Sequence, residues 1–163
     1  MLRFETAIGT CGIRWSDQGI TDVYLPGSRM EPSTTDAPPS VRQAAEDMAA
    51  LLAGEQRDLT HITLDPTGVD EFRQAVYDAT RAIGPGETQT YGDIAKTIGQ
   101  PGAARGVGAA LGSNPYPIVV PCHRVLASTG ALHGFSAPGG IQTKRRMLEI
   151  ECAPGFMQVA LFQ

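Results

Sequence analysis

The sequence predicts an α/β fold of the α+β kind: a small amino-terminal α/β domain over residues 1–66 and a mainly helical carboxy-terminal domain over residues 67–163. Three observations carry that prediction. Residues 2–25 alternate apolar and polar side chains with the period of half-buried strands. Residues 41–52 and 69–83 repeat their apolar positions at helical spacing. Residues 90–113 hold two short helical patterns that meet at Gly99-Gln100-Pro101-Gly102, the sequence form of a helix-turn-helix.

Taken in chain order, Leu2, Phe4, Thr6 and Ile8 fall on one side of a first strand, Ile13 and Trp15 on a second, and Ile20, Val23 and Leu25 on a third. Gly9, Gly12 and Asp17-Gln18-Gly19 supply the turns. Residues 27–40, with Pro32, Pro38 and Pro39, read as a mobile Pro-rich connection. Val41, Ala44, Ala45, Met48, Leu51 and Leu52 line one helix face, which Gly54 ends. His61 to Asp65 reads as a further short strand, so the sheet has three or four. Pro66-Thr67-Gly68 marks the boundary between the two halves. Val69, Phe72, Val76, Ala79 and Ile83 then trace an amphipathic helix that stops at Gly84-Pro85-Gly86. Thr90 is placed as an N-cap with Asp93 three residues on as its capping-box partner.

The second helix of the pair starts near Ala103 and ends near Gly112. On its wheel Ala103, Ala104, Val107 and Leu111 form the buried side, while Gly106, Ala109 and Ser113 make a stripe of small residues flanked by Arg105. Internal glycines cost about 1 kcal/mol each against Ala, so Gly106 and Gly108 ask for a reason. Two stand: entry into a narrow nucleic-acid groove, and close packing against another helix.

Composition narrows the class. The chain has 163 residues with 42% hydrophobic and 18% charged content, ordinary for a globular protein that buries a core. Arg3 and Glu5 interrupt the first apolar residues, and no run approaches the roughly 18 apolar residues of a membrane span, which predicts a cytoplasmic protein without a membrane partner. Cys11, Cys122 and Cys152 are an odd set with no C-x-x-C pair, which argues against a disulfide framework or a zinc cluster. Net charge is −4, yet residues 94–148 contain no carboxylate while holding Lys96, Arg105, Arg124, Lys144, Arg145 and Arg146. A polyanion could approach a surface built from that stretch.

The chemistry concentrates in Pro115-Tyr116-Pro117-Ile118-Val119-Val120-Pro121-Cys122-His123-Arg124-Val125. Ile118 to Val120 read as a buried strand ended by Pro121, which sets Cys122 and His123 at its exit. A thiolate is a strong nucleophile, and an imidazole that takes its proton lets it act near neutral pH. Adjacent residues of an extended segment face opposite ways, so His123 needs a turn or a water to reach the Cys122 sulfur.

These residues resemble a known family. Ala103 to Gly108 (A-A-R-G-V-G), Asn114-Pro115, the Pro121 to Val125 run (P-C-H-R-V) and Tyr91-Gly92 are similar, in order and spacing over about residues 67–152, to the O6-alkylguanine-DNA alkyltransferases, which repair DNA by direct reversal. Residues 1–66 agree loosely with that family's small amino-terminal domain.

The resemblance implies that Cys122 accepts the alkyl group from O6-alkylguanine, or from O4-alkylthymine, and keeps it as a thioether, so that each chain acts once. His123 would act through a water as base on Cys122, with Glu151 orienting it and Glu149 as the fallback. Asn114 would tie the turn after the recognition helix to the active site, and Tyr91 would give a proton toward guanine N3. Arg105 would enter the base stack in place of the flipped nucleotide. The DNA-facing set implied around it is Ala103, Ala104, Gly106, Ala109, Ser113 and Thr90, bound in the minor groove. The carbonyls of Cys122 and Val125 would meet the exocyclic amine, the Ser136 N–H would meet O6, and Leu111, Pro117 and Phe135 would line the pocket with Tyr91. The implied partner is double-stranded DNA containing O6-alkylguanine, bound by a monomer with no cofactor.

Departures from the family pattern are Gly106 where Ala is usual, Phe135 where a hydroxylated aromatic is frequent, and a segment at 133–140 about two residues longer than in some relatives. Some relatives hold zinc through Cys and His; here only Cys11 and His61 are at hand in the amino-terminal half, so no structural metal is expected. Two other classes compete: a protein that binds alkylated DNA without accepting the group, and a Cys–His hydrolase. Cys152, beside Glu151, is read as a buried core thiol, and residues 155–163 as a docked tail.

Overall fold

The computed structural model describes residues 1–132 and 139–156. Phe135, Ser136 and the tail from residue 157 onward lie outside the described residues.

The opening alternation produces an antiparallel meander, β1 (Leu2–Thr6), β2 (Gly9–Ser16) and β3 (Gly19–Tyr24), in that spatial order. Phe4 pairs with Cys11, Leu2 with Ile13 and Ile13 with Val23, so one face carries the apolar set while Arg3, Glu5 and Arg14 point to solvent. Ile8 falls in the turn after β1 and still packs on the core. α1 (Pro39–Leu52) covers this sheet with Val41, Ala44, Ala45, Met48, Leu51 and Leu52, the expected face. Pro39 stands in its first turn, where a missing N–H costs nothing, and Gly54 follows the helix at φ +97°.

Two expectations for this half are corrected. The Pro-rich stretch 27–40 is anchored rather than loose: Thr34 N–H donates to the Met1 carbonyl at 2.9 Å, Arg3 N–H to Ser33 Oγ at 3.0 Å, and Arg14 pairs with Glu31. It pairs with donors of β1 and β2 and with the carbonyl of Met1, a long-range arrangement that local composition does not encode. His61 to Asp65 form no strand. Ile20 and Leu64 make a single parallel bridge, with Ile20 N–H on the Thr63 carbonyl at 3.0 Å and Asp65 N–H on the Ile20 carbonyl at 2.8 Å. The chain then turns because the Asp65 carboxylate accepts from Thr67 N–H, Thr67 Oγ1 and Ser16 Oγ. Gly19 permits the close approach, since a Cβ there would stand 2.7 Å from the Thr63 oxygen.

α2 (Glu71–Arg81) follows the predicted periodicity, capped by the Asp70 carboxylate on Arg73 N–H at 2.8 Å and burying Val76, Tyr77 and Thr80. β4 (Gln89–Thr90) leads into α3 (Tyr91–Thr97), which has the expected capping box, and α4 (Ala104–Gly112) packs against both α3 and α2. A single 3-10 turn, Cys122–Arg124, passes into β5 (Val125–Leu126), and α5 (Gly140–Ile150) closes the described chain. β4 and β5 pair in parallel, Gln89 with Val125 and Thr90 with Leu126, a contact absent from the sequence reading.

Ile118 to Val120 are buried, as expected, but they are not a strand. Ile118 has φ +75°, Val120 N–H returns to the Tyr116 carbonyl at 2.8 Å, and Cys122 N–H to the Val120 carbonyl at 2.7 Å. The prolines at 115, 117 and 121 break the ladder that the β-branched residues suggested. One hydrophobic cluster takes residues from both halves, including Ile13, Met48, Val76, Ile94 and Val120. The Pro115 carbonyl accepts from Val23 N–H at 2.8 Å, and the Tyr116 hydroxyl donates to the Asp65 carbonyl. The reactive segment is therefore held by the meander as well as by its own half.

Candidate active site and DNA-facing helices

Cys122 opens the 3-10 turn and is 9% exposed. Successive residues of such a turn are rotated by about a third of a circle rather than reversed, which removes the obstacle an extended segment would have posed. Asn114, just past α4, is fixed at both ends of its amide: Nδ2 donates to the Val120 carbonyl at 3.0 Å and Oδ1 accepts from Tyr116 N–H at 2.9 Å. Burial pushes the Cys122 thiol above its ordinary pKa; Asn114, the charge of Lys144 and the N–H groups of Cys122 and His123 oppose this without reversing it. The resting sulfur is a thiol.

The next residue of the same turn carries an imidazole. His123 is fully buried, and burial lowers its pKa against the pull of Glu151, so the ring is neutral. Its Nε2 lies 3.1 Å from Glu151 Oε1, while its Nδ1 is buried with no hydrogen-bond partner among the described residues. Burial alone would raise the Glu151 carboxyl; His123 and Arg124 outweigh it and hold the pKa at about 2. Glu151, and not the fallback Glu149, is thus the carboxylate joined to His123.

Two members of this site were missed. Arg124 is 5% exposed and grips Glu151 with a fork, Nε on Oε1 at 2.9 Å and Nη2 on Oε2 at 2.7 Å, and its Nη1 donates to the Ile83 carbonyl at 2.6 Å. Lys144 is 1% exposed, donates to the Val125 carbonyl at 2.8 Å and stands 5.9 Å from the centre of the Tyr91 ring; burial brings its pKa down to about 8. Sequence alone places both on the surface of the carboxylate-free stretch, because a charge run is ordinarily solvated. The exposed cations of residues 94–148 are Lys96, Arg105, Arg145 and Arg146. Only the adjacency of Arg124 to Cys-His could have signalled its other use.

Tyr91 is half-buried at the start of α3, placed by the β4–β5 pairing; burial and the neighbouring Cys122 raise its pKa, so it is a neutral phenol able to donate. Val125 and Leu111 are buried and Pro117 half-buried. On α4, Arg105, Ala109 and Ser113 are exposed, and Ala103 and Ala104 are half-buried. Gly106 departs from the stripe: a Cβ there would lie 3.1 Å from Phe72 Cζ of α2, so its smallness serves helix packing. The Thr90 hydroxyl is engaged as the cap, accepting from Asp93 N–H at 3.0 Å. Cys152 is exposed at φ +54°, not in the core as expected; the chain turns out of α5 there. Cys11 lies against Thr6 and His61 against Asp47.

Comparison with known proteins identifies the family. Residues 71–153 match the family described as 6-O-methylguanine DNA methyltransferase, DNA binding domain. A methylated-DNA–protein-cysteine methyltransferase of Mycolicibacterium paratuberculosis is 40% identical over 150 residues, covering 90% of this chain and 88% of its own. The protein of that name from Methanosarcina acetivorans is 36% identical, covering 91% and 95%. Among solved structures, Mycobacterium tuberculosis OGT in complex with DNA superposes with a TM-score of 0.78 at 37% identity, over 99% of this chain and 98% of that one. The relatives span the whole chain, both the meander and the helical half with its buried Cys-His-Glu cluster, and so this protein belongs to the methylated-DNA–protein-cysteine methyltransferase family.

Proposed function

We propose that this protein repairs DNA by taking the alkyl group of O6-alkylguanine onto Cys122, once per chain. The observation that carries the reading is a nearly buried thiol at the start of a 3-10 turn, followed directly by a neutral histidine whose far nitrogen is tied to an ionised carboxylate.

The Cys122 proton passes through a water to His123 Nδ1, and the sulfur attacks the alkyl carbon. The S–C bond forms as the C–O6 bond breaks, and its electron pair stays with the base. Tyr91 gives a proton toward guanine N3, so guanine leaves neutral, and Glu151 stabilises the imidazolium that remains. The thioether has no route back to the thiol, which makes the transfer stoichiometric.

A cysteine that is only 9% exposed cannot reach a base inside a duplex, so the damaged nucleotide turns out of the stack to meet it. That costs a few kcal/mol, least for a badly paired base. In this reading α4 enters the minor groove with Arg105, Ala109 and Ser113, and Arg105 fills the gap. Ala103, Ala104, Gly106 and Thr90 support that surface from behind. Leu111, Pro117 and Val125 line the pocket on the described side. Residues 67–163 then hold the chemistry and residues 1–66 brace it. In this reading the protein acts as a monomer.

The test uses a duplex carrying one O6-methylguanine and peptide mass analysis. One methyl group on the Cys122 peptide, saturating at one per chain and lost in Cys122→Ser while that variant still binds the lesion, is the expected result. Binding without any gain in mass would make the protein a lesion-recognition module instead.

A further inference from the structure

Glu151 offers two oxygens to three donors. Oε1 meets His123 Nε2 at 3.1 Å and Arg124 Nε at 2.9 Å, and Oε2 meets Arg124 Nη2 at 2.7 Å. The fork is held in its plane from behind, because Nη1 donates to the Ile83 carbonyl, just past the end of α2, at 2.6 Å. Side-chain exposure is 1% for His123, 6% for Arg124 and 2% for Glu151, so bulk solvent does not reach the arrangement.

A carboxyl so enclosed, facing only a neutral imidazole, would take up a proton. A guanidinium keeps its charge at every relevant pH and holds the carboxylate ionised. An ionised carboxylate only accepts, so the imidazole proton must lie on Nε2 and the lone pair on Nδ1. If Glu151 were protonated it could donate to Nε2, and the ring proton would shift to Nδ1, the nitrogen that must stay open to receive one.

We propose that Arg124 is a positioning residue which, by keeping Glu151 ionised, locks His123 in the tautomer whose Nδ1 can take the Cys122 proton. The assignment rests on the transfer reading above. The groups around the imidazole are Glu151 and Lys144 from α5, Arg124 and Cys122 on its own turn, and Tyr91 of α3 beyond the sulfur. Arg124 and Lys144 oppose an imidazolium and Glu151 favours it. Loss of Arg124 therefore lets both Glu151 and His123 protonate at higher pH.

The tautomer is read directly by nitrogen NMR of protein labelled in the histidine ring. In the wild type near neutral pH, His123 is expected with a proton on Nε2 and none on Nδ1; the reverse tautomer or a mixture overturns the proposal. In Arg124→Gln a mixed or reversed tautomer is expected, with the acid limb of single-turnover methyl transfer raised by about one pH unit and the neutral-pH rate down about tenfold or more. Arg124→Lys, which restores the charge, is expected to restore the tautomer and most of the acid limb. An Arg124→Gln protein with the wild-type tautomer and acid limb overturns the proposal whatever its rate. Should that variant not fold, the wild-type tautomer and its retention in Arg124→Lys decide the matter. A wild type that shows the expected tautomer yet transfers no methyl group removes the transfer reading and leaves the Arg124 geometry standing.

Discussion

Two carboxylates in this protein gather the same partners, one in each half. Asp47 accepts from Arg57 Nη1 at 2.6 Å and meets His61 Nε2 at 3.0 Å; Glu151 accepts from Arg124 Nη2 at 2.7 Å and meets His123 Nε2 at 3.1 Å. The chemistry of the two clusters is nearly identical and their surroundings are not. His61 and Arg57 side chains are 56% and 39% exposed, against 1% and 6% for His123 and Arg124. Asp47 itself is buried, but both of its donors reach solvent, which screens the cluster, so it ties α1 to the following loop and little else. Around Glu151 every proton has to be held by a neighbouring group, and a change at one member is felt by the others. The two trios differ in enclosure more than in residue type.

The sharpest way to break the comparison is to neutralise each carboxylate. Glu151→Gln leaves Arg124 buried without a counter-charge, which is expected to cost about 3–5 kcal/mol in urea unfolding and to slow methyl transfer by about a hundredfold or more. Asp47→Asn is expected to cost about 1 kcal/mol and to leave transfer unchanged. Equal losses in the two variants would mean that enclosure does not matter as argued.

A second test follows acid unfolding. Glu151 has its pKa depressed from 4.5 to about 2 in the folded protein. Its contribution is therefore complete above the unfolded value and is lost as pH falls through the folded one. Melting temperature should decline between about pH 5 and about pH 2, and Glu151→Gln should flatten that decline. A Glu151→Gln curve parallel to that of the wild type would show that other carboxylates carry the acid limb.

The smallest effect is expected where polar groups act at the surface near the site. Thr90→Ala removes the hydroxyl that caps α3, at about 1 kcal/mol or about 2–4 °C in melting temperature. Transfer should fall only slightly, through looser placement of Tyr91. A loss of transfer as large as that in Glu151→Gln would give Thr90 a direct part in the chemistry.

The regions that local patterns describe well are those whose stabilising contacts are local. The buried face of α1, the Asp70 cap of α2 and the Thr90–Asp93 capping box of α3 each satisfy their own backbone within a few residues. Cys122, His123 and Glu151 were legible for another reason: the resemblance carried them, and the structure brings His123 and Glu151 together across 28 positions of sequence. Ile118 to Val120 misled because β-branched side chains favour strands, whereas this backbone is bent by prolines and by a left-handed Ile118. Arg124 and Lys144 misled because charged residues are seldom enclosed.

By itself the sequence determined the α+β class, the meander, the helix pair with its Thr90 cap and the order of the motif residues, since periodicity, caps and motif spacing are properties of neighbours along the chain. Only the tertiary structure decided that residues 61–65 bridge rather than extend the sheet, that Gly106 makes room for Phe72, and that two cations stand inside the site. Those outcomes depend on which distant groups share a buried volume, and a buried charge or carbonyl takes whatever partner the fold brings within reach.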